Sequence, residues 1–363
     1  MTRDISPFSS PMKFLRLILL LSALSGIAIL LVIFRVPHSQ TILSEESKIP
    51  IPNSSETAMG QKTEPSFNFS EHSPAPELSG LSNWINSPGF SSIQELKGKV
   101  VLVDFWTYSC VNCIRTLPYL ESWYEKYADQ GLVILGIHTP EFAFEHIPEN
   151  VQAAVKKYGI SYPVAQDNDF STWKNYQNHY WPAKYLIDKD GFIRYTHFGE
   201  GEYDETEKAI VALLGTEEKG GEVMAETVDF QKIKTKETYL GKARRMNFVP
   251  NATDLKENEW TTTGKWKETE ESIVSEEAGA TLRLVFHATK ANLVLGGEGS
   301  IEVWIDGKPA SMENAGRDVT NGTVQLDGSR LYELSDFGER AETHSIELRF
   351  HDVGIEAFAW TFG

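Results

Sequence analysis

The run KVVLVDFW, residues 99–106, is apolar from end to end except for Asp104, and four residues after its last aromatic comes Cys110-Val111-Asn112-Cys113. An unbroken apolar run of this length, closed by aromatics, is the signature of a strand covered on both faces, as in a parallel sheet. Cys110 and Cys113 are the only cysteines among 363 residues. A bridge between them would close a very small loop, and loop-closure stabilisation shrinks with the loop. A lone close-spaced pair therefore reads as a working dithiol/disulfide couple rather than a staple. Structural zinc needs four ligands, and a single Cys-x-x-Cys without a second pair or a spaced His pair is a weak site. Thiol peroxidase chemistry is a further alternative, disfavoured because no distant resolving cysteine exists.

What surrounds the strand is alternating. A helix is expected from Cys110 to about Ala128, a second buried strand at GLVILGIH (131–138), and a helix over 148–158 that opens on Pro148. A helix over 169–179 precedes two strands, AKYLID (183–188) and GFIRYTHF (191–198), joined by the turn at Asp190-Gly191. A last helix over 203–214 is stopped by Gly215. The pattern is an α/β layer around one sheet. After the charged connector EEKGGE the character changes to short alternating runs at 281–288, 292–297, 300–307, 323–328, 344–352 and 355–363, an antiparallel β-sandwich or jelly roll. Trp260, Trp266, Trp304 and Trp360 fall in this part, where stacking on sugar rings competes with burial in the sandwich core.

Ahead of both parts, Leu17 to Phe34 is an uncharged stretch of eighteen residues, long enough to span a bilayer as a helix. Arg3, Lys13 and Arg16 precede it and acidic residues follow Arg35, which orients everything after residue 36 outside the cytoplasm. A cleaved signal peptide is the competing reading. Residues 37–80, rich in Ser, Pro, Glu, Asn and Thr, are expected to be a flexible tether with a mean reach of about 35–40 Å. The formal charge of −17 argues against a nucleic-acid partner. The expected organisation is a cytoplasmic stub and single transmembrane helix (1–36), linker (37–80), α/β domain (81–215), connector (216–235) and β-sandwich (236–363).

VLVDFWTYSCVNC resembles the thioredoxin active-site strand and helix, with Pro118 five residues after Cys113 where thioredoxins kink that helix. WPAKYLIDKDG resembles the cis-proline strand and hairpin of the same fold. SSIQELKGKVVLVDFW and the inserted helix at 148–158 are similar to the membrane-anchored TlpA-like group. WTYSCVNC, GIHTPEF, YWPAKYLID and KETYLG together resemble the extracytoplasmic part of DipZ-type proteins over residues 81–363. The resemblance implies a thioredoxin fold and a C-terminal module like a carbohydrate-binding sandwich. It also implies a thiol–disulfide oxidoreductase that needs no cofactor beyond its redox-active disulfide. DipZ proteins carry a CcdA-like multi-span domain ahead of this part. A single span here leaves the electron source, a CcdA/DsbD-like membrane protein, to be separate.

The expected roles follow. Cys110, at a strand-to-helix junction, gains from free N–H groups and the helix dipole and is the nucleophile, while Cys113 one turn on resolves the mixed disulfide. Asp104, buried among apolar neighbours, has a raised pKa and exchanges a proton with Cys113; backbone bonding at a strand end is its alternative. The resemblance makes Trp181–Pro182 a cis bond that turns the backbone of Trp181 towards Cys110 and an incoming extended peptide. Trp106 packs beside the site or simply in the core. His138 and Glu141 lie just beyond a strand's C-terminal end, where open α/β sheets place their sites, and with His179 they are softer candidates for the substrate side. The substrates expected are disulfides of exported proteins, with a periplasmic route to cytochrome c among the settings the resemblance implies. A different class of function, an envelope adaptor that binds glycan or protein through the sandwich, stays open.

Overall fold

The computed structural model describes residues 67–69 and 71–363. The expected transmembrane helix and most of the expected tether lie outside them. Among the described residues no helix is long and apolar enough to cross a membrane.

The first part is a seven-stranded mixed sheet with helices on both faces. Its strands are β1 Ser73–Pro74, β2 Ser82–Ile85, β3 Val100–Trp106, β4 Leu132–His138, β5 Val164–Gln166, β6 Ala183–Ile187 and β7 Phe192–Phe198. Its helices are α1 Val111–Tyr127, α2 Pro148–Lys157, α3 Ser171–Asn175 and α4 Tyr203–Leu214. The spatial order is β1-β7-β6-β3-β4-β5-β2. β3 lies at the centre, parallel to β4 and antiparallel to β6. Every residue of β3 is buried, as its apolar run demands, and alternate side chains serve two cores. Leu102 and Trp106 join Cys113, Leu117 and Leu120 of α1, whereas Val101, Val103 and Phe105 face Trp173 and Tyr176.

Two differences from the sequence reading have simple causes. The expected tether ends before residue 80: Ser73 and Pro74 pair with Ile193 and Phe192 of β7, and Leu78 is buried in the core. Two pairing residues carry no periodicity, so composition alone reads them as linker. The helix expected over 169–179 is only five residues, Ser171–Asn175, because Asp167 caps it and Gln177 takes a positive φ. Asp167 accepts from the backbone N–H groups of Ser171, Thr172 and Trp173 at 2.8–3.1 Å.

The second part is a sandwich of two six-stranded sheets. Its strands are β8 Thr238–Tyr239, β9 Trp260–Thr263, β10 Trp266–Glu268, β11 Ile273–Ser275, β12 Ala280–Ala288 and β13 Lys290–Gly296. They continue with β14 Glu298–Ile305, β15 Lys308–Pro309, β16 Thr323–Asp327, β17 Arg330–Asp336, β18 Glu342–Phe350 and β19 Glu356–Phe362. One sheet runs β10-β11-β19-β13-β17 with β8 on β19; the other runs β15-β14-β18-β12-β9 with β16 on β14. β12 shows the expected period of two: Ala280, Leu282, Leu284, Phe286 and Ala288 are buried and the residues between them are not. Trp260 and Trp360 are fully buried, so neither is placed to stack on a sugar. Trp266 packs edge-on against Phe350, and Trp304 is covered by the Arg349 guanidinium 3.7 Å from its ring centre.

The two parts meet through an apolar cluster of Phe142, Val294, Phe358 and Ala359, with Phe144 and Tyr239 packed against it. Rings of Phe142 and Phe144 lie 5.1 and 4.9 Å from that of Phe358. Polar contacts close its edge: Arg244 Nη1 reaches Glu141 Oε1 at 2.6 Å, and the Ala143 N–H donates to Glu271 at 3.0 Å.

Candidate active site

Cys110 is the N-cap of α1. Its Sγ accepts the Cys113 backbone N–H at 3.3 Å, satisfying one of the helix's free donors and placing the sulfur against the positive end of the dipole. The sulfur is half-buried and lies 4.0 Å from the carbonyl oxygen of Trp181. The Trp181–Pro182 bond is cis. Trp181 is held from behind, its Nε1–H donating to the Thr139 carbonyl at 3.0 Å and its ring packed at a tilt 4.4 Å from that of Trp173.

Cys113 is fully buried one turn into α1. Burial first, then its contact with the Cys110 sulfur, pushes its thiol well above the usual range, so it keeps its proton until something takes it. Asp104 is the group placed to do so. It projects from β3 onto the α1 face, 1% exposed, and its Oδ1 has no hydrogen-bond partner among the described residues. Desolvation raises its pKa to about 7, and the charge of Lys184 opposes that rise. Lys184 sits directly opposite Asp104 in the β3–β6 register, on the same face of the sheet, and is itself fully buried. Its Nζ donates to the Gly199 carbonyl at 3.3 Å, and burial lowers its own pKa.

The loop between β3 and α1 is clamped by a residue that sequence reasoning passed over. Glu145, fully buried, accepts from Ser109 Oγ at 2.6 Å and from the Ser109 N–H at 3.3 Å. Its other oxygen accepts the backbone N–H groups of Glu141 and Phe142 at 2.6 and 3.0 Å. Desolvation nevertheless raises its pKa to about 6. No spacing in FAFEH marks Glu145 as different from a solvated acid. Lys184 did carry a signal, a lone cation inside the apolar run AKYLI, the argument that singled out Asp104. A third buried pair fixes the residues between the cysteines: Arg115 grips Glu200 with two bonds of 2.8 and 3.0 Å and donates to Asn112 Oδ1 at 2.7 Å.

The sequence candidates therefore separate. Cys110, Glu141 and Trp181 line one cleft, while Asp104, Cys113 and Pro182 are buried and do not line it. Trp106 and His138 are fully buried and do not reach the cleft, which removes them from the substrate side. The two rings meet edge-to-face at 5.2 Å, and Tyr108 stacks on His138 from the other side. Desolvation lowers the His138 pKa to about 3, so it stays neutral and carries no proton traffic. His179 is exposed, and Glu141 is committed to Arg244 and to the hydroxyl of Tyr239 at 2.8 Å. Among the described residues no group of three or more potential ligands is placed to hold a metal.

A helix-capping thiol, a buried second thiol and a buried acid beneath it compose a dithiol exchange site. Residues 74–196 match the AhpC/TSA family and residues 235–363 match the thioredoxin like C-terminal domain. The chain is 30% identical over 146 residues to thiol-disulfide oxidoreductase YkuV of Bacillus subtilis, covering 97% of that protein and 40% of this one. It belongs to the thioredoxin-like thiol–disulfide oxidoreductases. Protein DipZ of Mycobacterium bovis is 37% identical over 309 residues, 80% of this chain. Thiol-disulfide oxidoreductase ResA of Bacillus cereus is 31% identical over 115 residues, covering 32% of this chain and 64% of ResA. The chain spans 43% of the length of DipZ. The chain thus joins a thioredoxin-like layer to an all-β C-terminal part.

Proposed function

We propose that this oxidoreductase reduces disulfides of exported proteins from a tethered position outside the cytoplasm. The observation that carries the reading is the pairing of a cleft-lining Cys110 sulfur, capping α1, with a buried, proton-retaining Cys113 above Asp104. The Cys110 thiolate attacks one sulfur of a substrate disulfide; a new S–S bond forms, the old one breaks, and the first substrate thiolate leaves and takes up a proton. Asp104, as carboxylate, then accepts the Cys113 proton. The Cys113 thiolate attacks the Cys110 sulfur, closing the 110–113 disulfide and expelling the second substrate sulfur as a thiolate, which takes up a proton as Asp104 gives its own back to solvent. Two electrons pass to the substrate, and a dithiol donor in the membrane, of the CcdA-like kind, restores them. Residues 17–34 serve as the anchor in this reading, and apocytochrome c, whose haem-binding cysteines must be reduced, is the substrate we favour. Val111 and Asn112 place no charge between the sulfurs to favour a thiolate, which supports a reductant over an oxidant.

The test is a Cys113→Ser chain expressed with its N-terminal segment. It should accumulate mixed disulfides through Cys110 with exported proteins, released by dithiothreitol and absent from a Cys110→Ser, Cys113→Ser control. Equilibration of the wild-type couple with glutathione checks direction. A potential near that of DsbA, about −120 mV, would overturn the reducing role.

A further inference from the structure

The cleft at Cys110 has a second wall, and it does not come from the thioredoxin-like layer. Across about 380 Å³ of space from Cys110 and Trp181 stand Phe230, Ile233 and Lys236, the approach to the sandwich. This wall is built into the molecule. Asp229 accepts the Gln231 N–H at 3.0 Å and caps the single turn Phe230–Lys232. The N–H groups of Lys234 and Thr235 donate to the His287 carbonyl at 3.0 and 3.3 Å. The buried Thr235 hydroxyl accepts the His287 N–H in return at 2.8 Å, so the segment is tied to the end of β12. The Phe142–Phe358 cluster and the grip of Tyr239 and Arg244 on Glu141 hold the wall at its distance from Cys110.

We propose that the C-terminal part acts as a selecting wall. It admits disulfides carried on extended, locally unfolded segments, rejects those on folded surfaces, and offers Phe230 as an apolar contact beside the substrate cysteine. This rests on Cys110 being the attacking thiol. An extended chain fills roughly 160 Å³ per residue, from a rise of ~3.3 Å and spacings of ~4.8 and ~10 Å. The cleft therefore takes two or three residues of such a chain. Two folded proteins in stable contact bury about 800 Å² on each side, and the wall leaves no such flat surface around the sulfur. The flanks point to an apolar segment. Phe230 is 54% exposed, and Tyr180 and Phe198 are 55% and 49% exposed with rings 5.4 Å apart. Tyr180 precedes Trp181, and Phe198 pairs with Ala183, so both adjoin the Trp181–Pro182 edge.

The experiment uses the reduced protein and one reporter. A cysteine capped as a mixed disulfide with 5-thio-2-nitrobenzoate is placed on the surface of a folded domain, and again in a destabilised variant of that domain that is unfolded in buffer. Each second-order rate is divided by that for the free small disulfide, which reads Cys110 alone. The wild type should favour the unfolded carrier by about a hundredfold, and Phe230→Ala should shrink that preference about fivefold or more, because half-exposed Phe230 can be truncated without loss of core. Equal rates on the two carriers, or a preference untouched by Phe230→Ala, would overturn the wall. Failure of the small disulfide to react would show instead that the reading of Cys110 is wrong, and the wall falls with it.

Discussion

Burial of Asp104 without a hydrogen-bond partner for Oδ1 should be visible as a pH-dependent cost that Asp104→Asn removes. With a free-chain pKa of 3.8 and a folded value of about 7, the native state holds a proton that the unfolded chain releases across that window. Stability therefore falls as pH rises through it, by about 1.7 kcal/mol at pH 5 and about 4 kcal/mol at pH 8 relative to strong acid. The asparagine variant lacks this term. Its stability relative to wild type should rise by about 2–3 kcal/mol between pH 5 and pH 8, read from urea midpoints of both reduced proteins at each pH. The subtraction isolates one group: Glu145 and His138 titrate in both proteins and cancel, and Cys113 keeps its proton throughout. Lys184 does not cancel, since it loses its counter-charge, but a buried ammonium regains stability as pH rises and so adds in the same direction. The variant should also release product from the mixed disulfide about a hundredfold more slowly, the usual worth of a positioned base. A relative stability that stays flat from pH 5 to pH 8 would refute the assignment of a buried, neutralised carboxyl.

Two further outcomes follow from the buried charges. Lys184→Met removes the cation opposing the rise, so the Asp104 titration, followed by carbon NMR in the reduced protein, should move above about 7. Arg115→Ala strands Glu200, 5% exposed, without its partner and should cost about 3–5 kcal/mol in urea unfolding; Arg115→Met with Glu200→Leu should recover most of it.

Much of the site was legible because its chemistry depends on neighbours along the chain. Cys110 and Cys113 share one helical turn, and the apolar run around Asp104 already specifies a buried carboxyl. The long strands and helices announced themselves through periodicity, since each must bury a face. Short pieces did not: β1 is two residues and β5 three, and hydrogen-bond pairing rather than pattern makes them strands. His138 shows the limit on the site itself. Its place at the C-terminal end of a strand suggested access, yet Trp106 and Tyr108 close over it.

What the chain order determined alone was local: which sulfur caps a helix, which strand is buried on both faces, where an α/β layer ends and a sandwich begins. Tertiary structure decided what lies across space from those residues. Lys184 meets Asp104 eighty positions away because β6 runs antiparallel beside β3, and Phe230 faces Cys110 because the sandwich docks through Phe142 and Phe358. Strand register and domain docking are set by the summed packing of many side chains, a quantity that no single stretch of sequence contains.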